Sequence, residues 1–232
     1  MEKENNMLKY PVKELLARLV ILLIGLTIAH FGVTLFLLAN LGADPFNVLV
    51  QGVFHTLQKL TGWAFLTHGR THIALCLIII VALLFIDRSY IMPGTIVCMI
   101  CGGPIIDFFT ALLSAPFAAY ITNFWLKLAV LAAGCVILAL GMSTVIKSDA
   151  GTGPNDLVGL VISDKLHKKF GIVRVICDLT FVAVGWLLGG AVGIGTVVCA
   201  FLVGFVADFF LPRCEKLVSF LLRPLAVSSK SH

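Results

Sequence analysis

The chain has 232 residues, 59% of them hydrophobic, and its 21 glycines lift the apolar-plus-glycine share to roughly 68%, against about 45–50% in an average soluble domain. Its 17 basic and 12 acidic residues are few, and mean hydropathy is +1.05. A soluble globule of this length could not bury so much apolar surface. That excludes a cytosolic enzyme, a secreted disulfide scaffold, a disordered chain and a nucleic-acid binder, and leaves an all-α polytopic membrane protein with the lipid bilayer as its first partner.

Residues 1–18 are polar and basic (Lys3, Lys9, Lys13, Arg18) and read as a cytoplasmic N-terminal segment. The apolar run 19–39 is longer than a signal-peptide core of about 7–15 residues and matches the ~20 residues that cross hydrocarbon, so it reads as a first transmembrane helix rather than a cleaved leader. A Gly/Pro turn, Leu41-Gly-Ala-Asp-Pro-Phe-Asn47, then leads into a short helix over 45–60 with proline in its first turn, where a missing N–H costs nothing. Helices over 71–86 and 91–113 complete a first unit spanning 19–113, and a linker covers 114–126. The second unit, 127–212, has the same order: 127–147, the turn Ala150-Gly-Thr-Gly-Pro-Asn-Asp156, a short helix over 154–168, then 172–189 and 193–211. The basic segment 213–232 reads as an amphipathic cytoplasmic tail along the membrane surface.

The matching order is matched by identity. Laid on Gly195–Phe210, the stretch Gly94–Phe109 is identical at eight of sixteen positions, where about one is expected by chance. Upstream, Gly25, Gly32, Gly42, Pro45 and Gly62 align with Gly134, Gly141, Gly151, Pro154 and Gly171. The expected fold is therefore two homologous repeats of four membrane-embedded helices, the second helix of each short and entered through a Gly/Pro turn.

Charge placement bears on orientation. If all eight segments cross with the N-terminus inside, basic residues split 15 to 2 in favour of the cytoplasm, and the copies share one orientation. If the short helices dip in and return, the split is 14 to 3 and the copies are inverted. Eight crossings is the expectation, because the Lys59/Arg70 and Lys165–Arg174 loops then both face the cytoplasm. Either scheme places both termini inside.

Ionisable residues at membrane depth are the first functional candidates. Asp178 lies one helical turn after Arg174, a spacing that also suits a purely structural ion pair. Asp107 and Asp208 are repeat-related, each followed by two phenylalanines. They either line a cytoplasmic gate or bond neighbouring backbone at the interface. The two Gly/Pro turns are the best binding candidates, since a new helix starts there with unpaired N–H groups and partial positive charge. Asp44, Asn47, Asn155 and Asp156 flank them, and Gln51 continues a polar stripe with His55 and Gln58. The structural alternative is that Asp44 and Asn155 cap helices and shape turns.

The seven cysteines are an odd number, and all but Cys214 lie inside apolar runs, where thiols act as small hydrophobes. No His/Cys/acid cluster has metal spacing, no nucleotide or hydrolase motif is present, and no nucleophile–base pair can be named, so neither cofactor, metal nor enzymatic role is expected.

Asn40-Leu-Gly-Ala-Asp-Pro-Phe46, Gly151-Thr-Gly-Pro-Asn-Asp156, Gly171-x-x-Arg174-x-x-x-Asp178 and Gly189-Gly-x-x-Gly-Ile-Gly-Thr196 together resemble the bacterial YczE/YyaS/YitT family of membrane proteins, over about residues 19–212. The resemblance implies a bacterial inner-membrane protein without an established substrate. One departure separates the halves: with Arg70 laid on Arg174, Ala74 stands where Asp178 does. The functional expectation is a small permease for a polar or anionic solute. Its rivals are a non-transporting helper of a biosynthetic or signalling partner and a substrate-binding subunit served by a separate ATPase. A homo-oligomer is compatible with each.

Overall fold

A helix that ends inside a membrane bundle must hand its last carbonyls and the next helix's first N–H groups to some partner, and the two Gly/Pro turns do this in the same way. The computed structural model describes residues 10–228; Lys3, Lys9 and Lys230 lie outside the described residues. The described chain forms eight α-helices: α1 (Val12–Ala39), α2 (Pro45–Thr61), α3 (His68–Ile86), α4 (Pro93–Tyr120), α5 (Phe124–Ser148), α6 (Pro154–Leu166), α7 (Phe170–Leu187) and α8 (Ile194–Ser228). No strand occurs among the described residues.

α1 stops at Asn40, which takes the left-handed conformation (φ 51°) and donates its N–H to the Leu37 carbonyl; α5 stops at Asp149 (φ 52°), which donates to Ile146. Two residues on, Gly42 (φ 143°) and Gly151 (φ 130°) adopt backbone that side-chain-bearing residues rarely accept. Both glycines are also crowded. A Cβ on Gly151 would lie 2.5 Å from the Thr95 nitrogen, and one on Gly42 2.6 Å from the Thr196 hydroxyl. The carbonyls just beyond the helix ends are then used crosswise: Gly94 donates to Ala150 O (2.8 Å) and Gly195 donates to Leu41 O (2.9 Å). The start of α4 thus closes the end of α5, and the start of α8 closes the end of α1.

Six helices are long and apolar enough to cross a membrane, α1, α3, α4, α5, α7 and α8, which makes this a multi-pass membrane protein. α2 and α6 are not among them, and α6 is only ~20 Å long at 1.5 Å per residue. Two elements run further than the sequence suggests. α4 continues through Pro104 and Pro116 to Tyr120, and α8 passes Pro212 without ending, so residues 213–228 prolong the last membrane helix instead of forming a separate segment.

Glycine sets the centre of the bundle. Gly25 packs on Gly141 and Val145, while Gly32 packs on Gly134 and Leu138; a Cβ on Gly32 would sit 2.5 Å from the Gly134 oxygen and one on Gly141 2.2 Å from the Ala29 nitrogen. The numbers fall along one helix as they rise along the other, so α1 and α5 are antiparallel and touch backbone to backbone. α8 runs with α5, placing Gly195 beside Leu131 and Glu215 beside Lys147. α7 runs against α8, with Gly171 on Gly204 and Asp208. α2 lies along α7 in the same sense, Phe46 near Phe181 and Gly52 on Gly185, whereas α6 opposes α7, Asp156 on Arg174 and Gly159 beside Phe170.

It follows that α2 runs in the same sense as α1, and α6 in the same sense as α5. Successive crossings must alternate, so the expectation of eight crossings is corrected to six, with each short helix heading for the face its predecessor approached. The charge split could not reveal this, because 15 to 2 and 14 to 3 satisfy the positive-inside tendency equally.

Two outcomes are expected. Single cysteines at Ala64 and Lys168 label with an impermeant maleimide from opposite membrane faces, whereas eight crossings would place them on one face. Gly32→Leu lowers the melting temperature in detergent, with a cost of about 2–3 kcal/mol from forced helix separation, while Gly69→Ala, with no atom within 4 Å of its Cβ position, leaves it unchanged.

Candidate functional site

α7 is the shared axis of the site. α6 runs down the first half of it and α2 up the second half, so the two short helices begin facing one another near Asp178, in the middle of α7. Their first turns line one cavity of about 330 Å³, together with His30 and Phe36 of α1, His72 and Cys76 of α3, Met99 and Gly102 of α4, Met142 of α5 and Arg174 of α7.

The two helix starts are built differently. Asp44 caps α2, accepting the Asn47 N–H at 3.2 Å, and Pro45 follows at the position that needs no donor. α6 begins after Gly153 and has no side-chain cap. Asp156 in its first turn accepts from the Asn155 amide (3.0 Å) and from the Arg174 guanidinium. Arg174 also donates through Nε to Asp178 (2.9 Å) and lies 3.7 Å from the Met142 sulfur. Asp178 is 1% exposed, and its second carboxylate oxygen has no hydrogen-bond partner among the described residues. Arg174 is therefore held between two carboxylates, one facing the cavity and one behind it.

Of the residues singled out in the sequence, Asp44, Asn47, Asn155, Asp156 and Arg174 converge on this cavity, with Asp178 directly behind Arg174. Gln51 lies elsewhere: its side-chain oxygen accepts the Ala191 N–H (3.1 Å), and His55 bonds the Gly189 carbonyl (2.9 Å), so this stripe secures the α7–α8 loop. Asp107 and Asp208 also lie outside the cavity lining. Asp208 accepts the Gly171 N–H at 2.7 Å, while Asp107 is exposed and makes no bond among the described residues.

The sequence did not mark His30 and His72 for the site. His30 bonds its own helix at Leu26 O (2.7 Å) and presses its ring on Gly102, where a Cβ would meet Nε2 at 2.8 Å. His72 packs edge-on to Phe46, centroids 5.3 Å apart. The readable signal was the small Gly102-Gly103 step opposite a lone intramembrane histidine.

A second cavity of about 780 Å³ opens at the end bearing the α1 start, among Glu14, Arg18, Lys147, Asp149 and Glu215. Arg18 there pairs with Glu14 at 2.8 Å and Lys147 with Glu215 at 2.7 Å, while burial and the nearby Asp164 carboxylate push the Tyr90 phenol up to about 12. Its charges are paired at helix ends.

Six long apolar helices around a largely apolar cavity into which a few polar side chains and two short helix starts converge define a polytopic helical membrane protein. Residues 16–212 match a family of unknown function, DUF6198, and the chain belongs to it. It is similar to the uncharacterized membrane protein YczE of Bacillus subtilis, 27% identical over 90% of this chain and 92% of that protein. An uncharacterized protein of Haemophilus influenzae is 28% identical over 82% of each chain, and the uncharacterized protein YyaS of Bacillus subtilis 26% identical over 83% of this chain and 92% of its own. No solved structure matches the chain.

Removing Arg174 strands a wholly buried carboxylate. Arg174→Met is expected to cost ~3–5 kcal/mol in a detergent thermal melt, and the double variant Arg174→Met/Asp178→Leu to recover most of that loss. Equal melting temperatures for single and double variants would show that the pair is not coupled.

Proposed function

We propose that this protein is a small secondary transporter, built from two homologous four-helix units related by a two-fold axis in the membrane plane, which binds a small polar solute where α2 and α6 begin. The single observation that carries the reading is the convergence of those two helix starts on one internal cavity beside a buried Arg–Asp pair. The duplicated sequence supports the two-unit architecture, and so do the crosswise contacts. Gly25 on Gly141 exchanges into Gly134 on Gly32 when each residue is replaced by its aligned counterpart, and Gly94 N–H to Ala150 exchanges into Gly195 N–H to Leu41.

Charge narrows the solute class. Three carboxylates (Asp44, Asp156, Asp178) stand against one guanidinium, and the two helix starts add about half a positive charge each, which leaves these groups together about one unit negative. Arg174 is already occupied by two carboxylates, so this balance favours a neutral or positively charged polar solute over the anionic alternative. The cavity volume suits a molecule of metabolite size.

The helix directions bear on orientation. Lys13, Arg18, Arg88, Lys147, Lys165, Lys168, Lys169, Arg213, Lys216 and Arg223 belong to one face, against Lys59, Arg70 and Lys127 at the other. That asymmetry supports a cytoplasmic location for both ends of the chain, in the inner membrane of a bacterium.

Purified protein alone in liposomes is expected to move a solute from a panel of small polar and cationic metabolites, and Asp156→Asn and Asp178→Asn to reduce that flux at least tenfold with insertion intact. Flux that appears only with an added ATPase would identify a transporter subunit, and no flux across the panel would favour the helper role. Normal flux in both variants would remove those residues from the site.

A further inference from the structure

The two helix pairs that flank the cavity are built alike but packed differently. α7 and α8 are zipped: Gly171, the second residue of α7, is buried with its Cβ position 2.2 Å from the Gly204 oxygen, and Gly204 is buried against Gly171 in return. Asp208, one turn further along α8, accepts the Gly171 N–H and so caps the start of α7. On α4, Gly103 and Asp107 align with Gly204 and Asp208; Gly171 matches Gly62 in the sequence alignment, but by position in its helix its counterpart is Gly69, the second residue of α3. Here nothing lies within 4 Å of a Cβ on either Gly69 or Gly103, both glycines are exposed, and Asp107 has no partner among the described residues. α3 and α4 share almost no contact, and Gly103 lines the cavity along with His72 and Ile73 of α3.

We propose that Gly69, Gly103 and Asp107 are an unfastened gate: α3 and α4 close on each other as α7 and α8 do, Gly69 seating on Gly103 and Asp107 accepting the N–H of Gly69. The α3–α4 gap opens the cavity toward the face where α3 begins, and the α7–α8 zipper seals it toward the face where α7 begins. Those faces are opposite, because α3 and α7 start at opposite ends of the bundle. Exchange of the two arrangements, one pair fastening as the other loosens, carries the cavity from one side to the other without moving its floor. A carboxylate left without a partner on a membrane helix is costly, and closure supplies it with the same backbone donor that Asp208 already holds. This rests on the transporter reading above and deepens it by naming the moving parts.

Gly69→Cys/Gly103→Cys in the full-length protein, oxidised in native membranes and digested with trypsin, tests the closure. A disulfide spans Cα atoms up to about 7 Å apart, a looser approach than the glycine-on-glycine seating that side chains would prevent, so a linked 69–103 peptide in the mass spectrum is the expected report of α3 and α4 drawing together. Adding Asp107→Leu should lower the yield several-fold, and Asp107→Asn, which still accepts an N–H, should preserve it. Maleimide modification of both thiols with no linked peptide under any condition overturns the proposal. A companion variant reads the same gate without cross-linking. Gly103→Leu has room to fold with an unchanged melting temperature, and by blocking closure it should raise maleimide labelling of the cavity cysteine Cys76 at least twofold; unchanged labelling also overturns the proposal. A protein that forms the link yet moves no solute in liposomes keeps the gate and loses the transporter reading, while solute flux without the link does the reverse.

Discussion

Hydrocarbon offers no hydrogen bonds, so a chain that breaks a helix at membrane depth must satisfy the exposed backbone from within the protein. This constraint organises the bundle. The breaks after α1 and α5 free the Leu41 and Ala150 carbonyls, and each is answered by the N–H of a glycine at the start of a distant helix, Gly195 or Gly94. Only a residue without a side chain lets those backbones approach so closely: a Cβ on Gly94 would stand 2.5 Å from the Ala150 oxygen. The glycines of the α1–α5 crossing serve the same end, drawing two long helices together until the broken segments can reach each other's closing partner.

With the breaks satisfied, the new helices start inside the bundle, and their positive ends need negative charge. Asp44 supplies it for α2 as a cap, and Asp156 for α6 from within its first turn. Arg174 then binds Asp156 to Asp178, tying the mouth of α6 to the middle of α7. A buried pair of this kind adds little to stability compared with a well-packed apolar core. Its value here is positional, since it ties the start of a short helix to α7 at the edge of the cavity.

The surroundings of the two Gly/Pro turns are not equivalent in detail. Thr196 donates to the Ala43 carbonyl at 2.6 Å and accepts the Gly193 N–H, stitching one turn, while its aligned partner Thr95 and the neighbouring Thr152 are buried with hydroxyls that find no partner among the described residues. The Arg174–Asp178 pair has no counterpart along α3, where Arg70 is followed one turn later by Ala74.

The sequence alone established the class of protein, six of the long apolar helices, both Gly/Pro turns and the family, because hydropathy, identity between segments and turn residues are local properties of the chain. It also singled out Asp44, Asn155, Asp156 and Arg174, since charge and amides in an apolar stretch stand out in one dimension. It misled over Gln51 and His55, whose helical spacing was right but whose stripe meets the 189–191 loop rather than the cavity, as a helix shows its neighbours only in three dimensions. Helix direction, and with it the number of crossings and the placement of His30 and His72, was decided by tertiary structure. Direction depends on which glycine meets which across the bundle, and a contact between residues more than a hundred positions apart leaves no trace in the pattern of either segment.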